Sequence, residues 1–213
     1  MQPVQDGKPV RRTQEQRSAA MRRRILDATV RCLQEDGYAG TTTVRVVERA
    51  GVTRGALAHH FASKADMVAA AVSHIAATRT AELLPRLEAA RAAADPVDAG
   101  LELLWSVHQG PLFAAVVELW VAARTDPELQ RKVVLVEQET NATIVEYART
   151  LFGPGGQRTA VRHAVFTAMD TVRGLLLTRV ALPPEEPEAR WRRAKADLRV
   201  VFDHALARGQ GPA

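Results

Sequence analysis

The sequence predicts an all-α protein of two helical parts with about nine helices, and three observations predict it. Apolar residues recur at steps of three and four through most of the chain, and no run keeps the period of two that a strand requires. Helix-start signals recur along it: Thr13 with Gln16, Asp95-Pro96, Gly110-Pro111 and Asp126-Pro127 each supply a cap, a break, or a proline at the first helical position. Residues 42–61 read as two short helices joined by one glycine. At 213 residues and 46% hydrophobic content the chain can bury one small core and one medium one. No internal repeat points to a solenoid.

Taken in order, residues 1–12 are polar and interrupted by Pro3, Gly7 and Pro9, which reads as a disordered basic arm carrying Lys8, Arg11 and Arg12. Residues 13–63 form the first helical domain. Thr13 and Gln16 make a capping box for a helix whose inner face is Ile25, Leu26, Thr29, Val30 and Leu33 and which ends near Gly37. Cys32, the single cysteine, follows Ala28 at helical spacing and reads as core packing; it cannot form an internal disulfide, which fits a reducing compartment. Thr42 or Thr43 caps the next helix, which buries Val46, Val47 and Ala50. Gly51 turns the chain, Thr53 accepts from the amide of Ala56, and Leu57 and Phe61 pack inward. Ser63 and Asp66 open a helix at Lys64 that runs through Met67, Ala71, His74 and Ile75 until Pro85 kinks or stops it.

Residues 64–213 continue as a helical bundle, with helices opening at Pro96, Pro111 and Pro127. Gly153-Pro154-Gly155-Gly156 breaks the chain before a long segment to Ala181, and Pro183-Pro184 breaks it before a last helix ending near Arg208. The two last helices carry the stripes Val165, Met169, Val172, Leu176 and Trp191, Ala194, Leu198, Val201, with Phe202 alongside and Ala205 beyond. Such stripes fit an intrachain core, and they equally fit pairing with a second copy across a two-fold axis.

The two short helices at 42–61 have the form of a helix-turn-helix. The second presents Arg54, Gly55 and Ala56 outward at its start, one long donor beside two positions with almost no side chain, so it can approach base edges in a major groove. Charge agrees with that use. Through Lys64 there are twelve Lys and Arg against six Asp and Glu, and in the remainder seventeen against eighteen, so the basic excess belongs to the first part.

The stretch Arg11–Val68, with RRTQEQRSAAMRRRILDA, GYAGTTTVRVVERAGVTRGALAHHF and SKADM, resembles the DNA-binding domain of TetR/AcrR-family transcriptional regulators. The resemblance implies that Arg54, Gly55 and Ala56 lie at the bases and that Thr42, Thr43, His60 and Lys64 meet phosphates. Arg45, Thr53 and His59 complete the candidate DNA-facing set. The family commonly has Tyr where this chain has Ala58, so a contact expected there is missing, and His59 is its neighbour. The resemblance further implies a homodimer paired through its two last helices, a palindromic double-stranded operator, and a small-molecule effector held among the central helices. Candidates for that site are Trp105, His108, Phe113, Glu118, Trp120, Asn141, His163, Phe166 and Asp170, polar or aromatic groups within apolar sequence. An aromatic such as Trp105 also fits plain core, and Asp170 with Arg173 fits a surface pair.

An enzyme is not expected. The sequence has no Gly-rich phosphate loop, no H-E-x-x-H, no G-x-S-x-G and no Cys and His set with metal-ligand spacing, and no cofactor is implied. Without an apolar segment of membrane-spanning length or a secretory leader, a cytoplasmic protein is expected. The expected function is sequence-specific transcriptional regulation, as a repressor released by its effector. The rival reading is a helical sensor of small molecules or metals without working DNA binding.

Overall fold

The computed structural model describes residues 13–183 and 185–207. The predicted basic arm at 1–12 and the expected helix end at Arg208 lie outside the described residues. Among the described residues nine α-helices follow one another: α1 Gln14–Gly40, α2 Thr43–Ala50, α3 Arg54–His60, α4 Lys64–Arg91, α5 Pro96–His108, α6 Pro111–Ala123, α7 Pro127–Phe152, α8 Thr159–Leu177 and α9 Glu186–Ala207. Short 3-10 turns occupy Gly153–Gln157 and Thr178–Ala181, and the described residues contain no strand. The chain forms two compact units, the first ending at Ala71 and the second beginning at Val72, within α4.

In the first unit the predicted caps fold as local chemistry requires. The Thr13 hydroxyl accepts from the Gln16 amide at 3.2 Å while Gln16 Oε1 accepts from the Thr13 amide at 3.0 Å. α1 breaks at Gly37, where the sequence ended it. That residue takes φ 66° and ψ −176°, a conformation glycine alone enters freely, and helical backbone resumes to Gly40. Of the two threonines offered as the α2 cap, Thr42 takes the role, its hydroxyl accepting from the Arg45 amide. Gly51 sits in the left-handed region at φ 61°, ψ 43°, and the Thr53 hydroxyl accepts from the Ala56 amide at 3.1 Å to start α3. The core joins Ile25, Leu26, Cys32 and Leu33 of α1 to Val46 and Ala50 of α2, with Leu57, Phe61, Met67 and Val68. Each of its larger aliphatic side chains contributes about 1.5–3 kcal/mol on leaving water. Val47 is only half-buried, so α2 offers a narrower apolar face than its spacing suggested.

In the second unit α5, α6 and α7 begin at the three predicted prolines, with the Asp95 and Asp126 carboxylates accepting from the amides of Asp98 and Leu129 at 3.0 Å each. Pro85 does not stop α4, which continues to Arg91. Pro85 is exposed, so water can take up the carbonyl that its missing N–H leaves unpaired. α8 ends at Leu177, and a 3-10 turn carries the chain on to Ala181.

The core of this unit is where α5, α8 and α9 meet. Trp105 stacks on Trp191 with ring centroids 5.0 Å apart and planes within 5°, among Val161, Ala164, Val172 and Phe202. Ion pairs lace α5 to α9. Lys195 meets Glu102 at 2.6 Å and Asp98 at 2.9 Å, and Arg199 bridges Asp95 and Asp203. The Asp98 amide and Arg199 together hold the Asp95 carboxyl below its ordinary range.

This packing puts most of the candidate interface stripe in the intrachain core, one of the two readings that its spacing left open. Met169, Val172, Leu176, Trp191, Leu198 and Phe202 are all buried within the single chain, and Val165 and Ala194 pack against that same cluster. Val201 alone of the nine candidates is exposed, at 43%. Periodicity says that a helix face is apolar; it does not say whose surface covers it.

Candidate nucleic-acid interface and ligand cavity

α3 is a short helix held on a buried frame. Leu57 and Phe61 fix its inner side, which leaves Arg54 and Gly55 exposed and Ala56 half-buried. A Cβ placed on Gly55 would meet nothing nearer than the Thr53 hydroxyl at 4.0 Å, so the space before the helix start is open to a base edge. Arg54 is exposed, and no described residue engages its guanidinium.

Most neighbouring cations are braces. Arg24 of α1 donates through Nη2 to the Ala50 carbonyl at 2.6 Å and the Gly51 carbonyl at 3.0 Å, capping the α2 C-terminus at the turn. Arg49 pairs with Glu35 at 2.6 Å, Arg22 lies over the Phe61 ring, and Arg45 pairs with Asp36 at 3.1 Å while reaching the Gly40 carbonyl. Lys64 donates to the Tyr38 carbonyl at 2.7 Å and lies 4.1 Å from the centroid of that ring. Thr42 and Thr53 spend their hydroxyl lone pairs on cap amides, and Thr43 is exposed. The rings of His59 and His60 meet edge-on at 5.4 Å. Burial, reinforced by His59 and Arg22, holds His60 below the ordinary imidazole value, so at neutral pH it is an uncharged donor.

In the second unit, helices α4, α5 and α7 with residues of α8 and α9 surround a cavity of about 870 Å³. Its wall is chiefly apolar, including Leu83, Leu101, Leu104, Ile144 and Phe152. One polar strip is Thr140, Thr143 and Tyr147 on α7; α4 contributes Ser73, Glu82 and Arg86, and α5 contributes Ser106 and His108. The His108 Nδ1 lies 2.9 Å from the Leu104 carbonyl, an acceptor, so Nδ1 carries the proton of the neutral ring. Burial, with Arg173 nearby and against the pull of that carbonyl, lowers its pKa and keeps the ring neutral.

Residues 25–71 match the model of the bacterial regulatory proteins, tetR family. An HTH-type transcriptional regulator of Mycobacterium tuberculosis is 31% identical over 174 residues, covering 78% of this chain and 88% of that one. The chain belongs to the TetR family. The HTH-type transcriptional repressor AcnR of Corynebacterium diphtheriae is 28% identical over 166 residues, covering 75% of this chain and 80% of its own. A solved transcriptional regulator from Rhodococcus sp. RHA1 shares the fold, with TM-score 0.62 at 24% identity over 86% of this chain and 96% of that one. This TetR-family regulator is therefore an all-helical, DNA-binding transcription factor, and the rival reading of a sensor without DNA binding is not favoured.

Of the nine effector candidates read from the sequence, the cavity wall of the regulator holds His108 alone. Trp105 is core, its indole N–H donating to Glu188 at 3.2 Å. Phe113 and Trp120 meet edge-on and form, with Arg173 over the Trp120 ring and Glu137 on its indole N–H, a polar cluster off the wall. Glu118, His163 and Asp170 are exposed, and Asn141 and Phe166 are half-buried away from the wall. Asp170 makes no pair with Arg173, whose carboxylate partner is Glu137 at 3.4 Å. Among the described residues no three His, Cys, Asp or Glu side chains gather to hold a metal ion. The missed wall had a signal: Val136, Thr140, Thr143 and Tyr147 recur at steps of four and three, one helix face mixing hydroxyls with apolar groups.

Proposed function

We propose that this regulator is a homodimeric repressor that holds a palindromic operator through Arg54, Gly55 and Ala56 and leaves it when a small molecule fills the cavity of the second unit. The observation that carries the DNA-binding half is the start of α3, where one unengaged guanidinium stands beside a glycine with open space before it. Arg54 reads a guanine through O6 and N7, and Thr42, Thr43, Thr53, His59, His60, Lys64 and Arg45 surround it at the phosphates. Two copies joined by the outward sides of α8 and α9, where Leu177, Val200 and Val201 are exposed, present two such helices to successive half-sites. No helix among the described residues is long and apolar enough to cross a membrane, and a factor acting on chromosomal DNA works in the cytoplasm.

Release is a coupling free energy. A ligand shifts the protein toward a conformer with mis-spaced reading heads only as far as it prefers that conformer. α4 is the covalent route, since it begins at Lys64 in the first unit and contributes Ser73, Leu83 and Leu87 to the cavity. The test is an electrophoretic shift of bound duplex by the purified protein, repeated against a metabolite library. The reading expects a compound that releases cognate duplex at unchanged protein concentration. It is overturned by a protein that binds no duplex selectively at any salt concentration.

A further inference from the structure

We infer that the cavity selects a lipophilic ligand whose polar groups are hydrogen-bond donors, an amine in particular, and discriminates against carboxylates. The inference rests on the cavity being the ligand site and goes further by naming the chemistry it accepts.

Four hydroxyls of the wall and its imidazole have spent their protons. The Thr140 hydroxyl donates to the Val136 carbonyl at 2.8 Å, and the Thr143 hydroxyl donates to the Glu139 carbonyl at 3.0 Å. On the facing helices, the Ser106 hydroxyl donates to the Leu103 carbonyl at 2.9 Å and the Ser73 hydroxyl to the Glu139 carboxylate at 3.3 Å. His108 spends its Nδ1 proton on the Leu104 carbonyl. Every one of these groups keeps a lone pair and has no second proton to offer, so each can act toward a guest only as an acceptor. Tyr147 supplies the remaining hydroxyl of the wall and has an interaction of its own within the chain.

The charges point the same way. Glu82 and Glu139 stand on the wall against Arg86, the single Lys or Arg there; all three are exposed, and Arg86 donates to Ser106 at 2.7 Å. A carboxylate brought in among these oxygens would lose water and meet lone pairs, which leaves a charge unpaired. An ammonium or hydroxyl guest finds acceptors along the polar strips of α4, α5 and α7, with the rest of its surface against Leu83, Leu101 and Ile144. Sites built around one side of the hydrogen bond reject guests that present the same side more strongly than they reject a change of size.

The experiment uses three probes on one fluorescent skeleton, naphthylethylamine, naphthylethanol and naphthylacetate, titrated calorimetrically into the purified full-length regulator without DNA. The amine should bind tightest and the acetate about tenfold or more weakly. Glu139→Gln should weaken the amine several-fold and leave the alcohol unchanged; Thr143→Val should weaken both. Should Glu139→Gln fail to fold, Glu82→Gln carries the same comparison. The inference is overturned if the acetate binds as tightly as the amine, if none of the three binds, or if neither glutamine variant affects the amine. A parallel duplex-release assay keeps the two readings apart. An amine that binds without releasing DNA contradicts the effector role and leaves the ligand class standing, while release by the acetate does the reverse.

Discussion

Arg54 and Lys64 look alike in the sequence, two cations near a recognition helix, and the structure separates them. Arg54 projects into solvent, whereas Lys64 is half-buried with its ammonium on the Tyr38 carbonyl and ring. Two effects are expected from Lys64→Ala. Loss of a phosphate contact should weaken cognate and random DNA alike and make the salt dependence shallower by roughly one unit per monomer. Loss of the Tyr38 tie should also lower the melting temperature, at a cost on the order of 1 kcal/mol. Binding titrations at several salt concentrations with a parallel thermal melt check both; an unchanged salt slope would leave Lys64 a structural brace only. His108 gives a pH-dependent counterpart. Because its folded pKa lies below the ordinary imidazole value, the neutral ring's stabilisation is present above that value and lost as pH falls beneath it. Thermal melts between about pH 7 and pH 5 should show a steeper loss for the wild type than for His108→Phe. Parallel curves would remove His108 from that balance.

At the scale of the helix, what the sequence made legible is what local chemistry decides. Thr13, Thr53, Asp95 and Asp126 cap where they were expected because a cap needs only its own backbone a few residues on. Pro85, read as a kink or a stop, does not stop α4, since a proline's effect depends on whether water or a neighbour takes the freed carbonyl. The stripes of α8 and α9 left two readings open for a related reason, their periodicity being the same whether the covering surface is α5 or another molecule. A pair of variants separates the two cases on α9. Leu198→Asp buries an unpaired carboxylate beside the Trp105 and Trp191 stack and should unfold the second unit, a loss of several kcal/mol. Val201→Asp places the charge on the exposed side and should leave helical content intact while self-association fails. Circular dichroism with sedimentation reads both; a Val201→Asp protein that still dimerises normally takes that face out of the interface.

For the molecule as a whole, the DNA-reading half was legible and the ligand half was not, for one physical reason. A helix-turn-helix is built from contiguous residues, so Gly51, Thr53, Arg54 and Phe61 carry its geometry in their spacing. A cavity is defined by side chains from five helices, and which polar groups face it depends on rotations that no single helix records. The sequence thus drew attention to aromatic residues, while the polar part of a chiefly apolar wall is made mostly by hydroxyls and carboxylates of α4, α5 and α7. The central claim, that α3 reads DNA sequence with Arg54 as its donor, is tested most directly by selecting bound duplexes from a random pool with the wild type and with Arg54→Ala. The account predicts an inverted repeat for the wild type. In the variant one position per half-site should lose its preference, with affinity for the wild-type sequence lower by about 1–3 kcal/mol. An identical motif at undiminished affinity from the Arg54→Ala protein would contradict it.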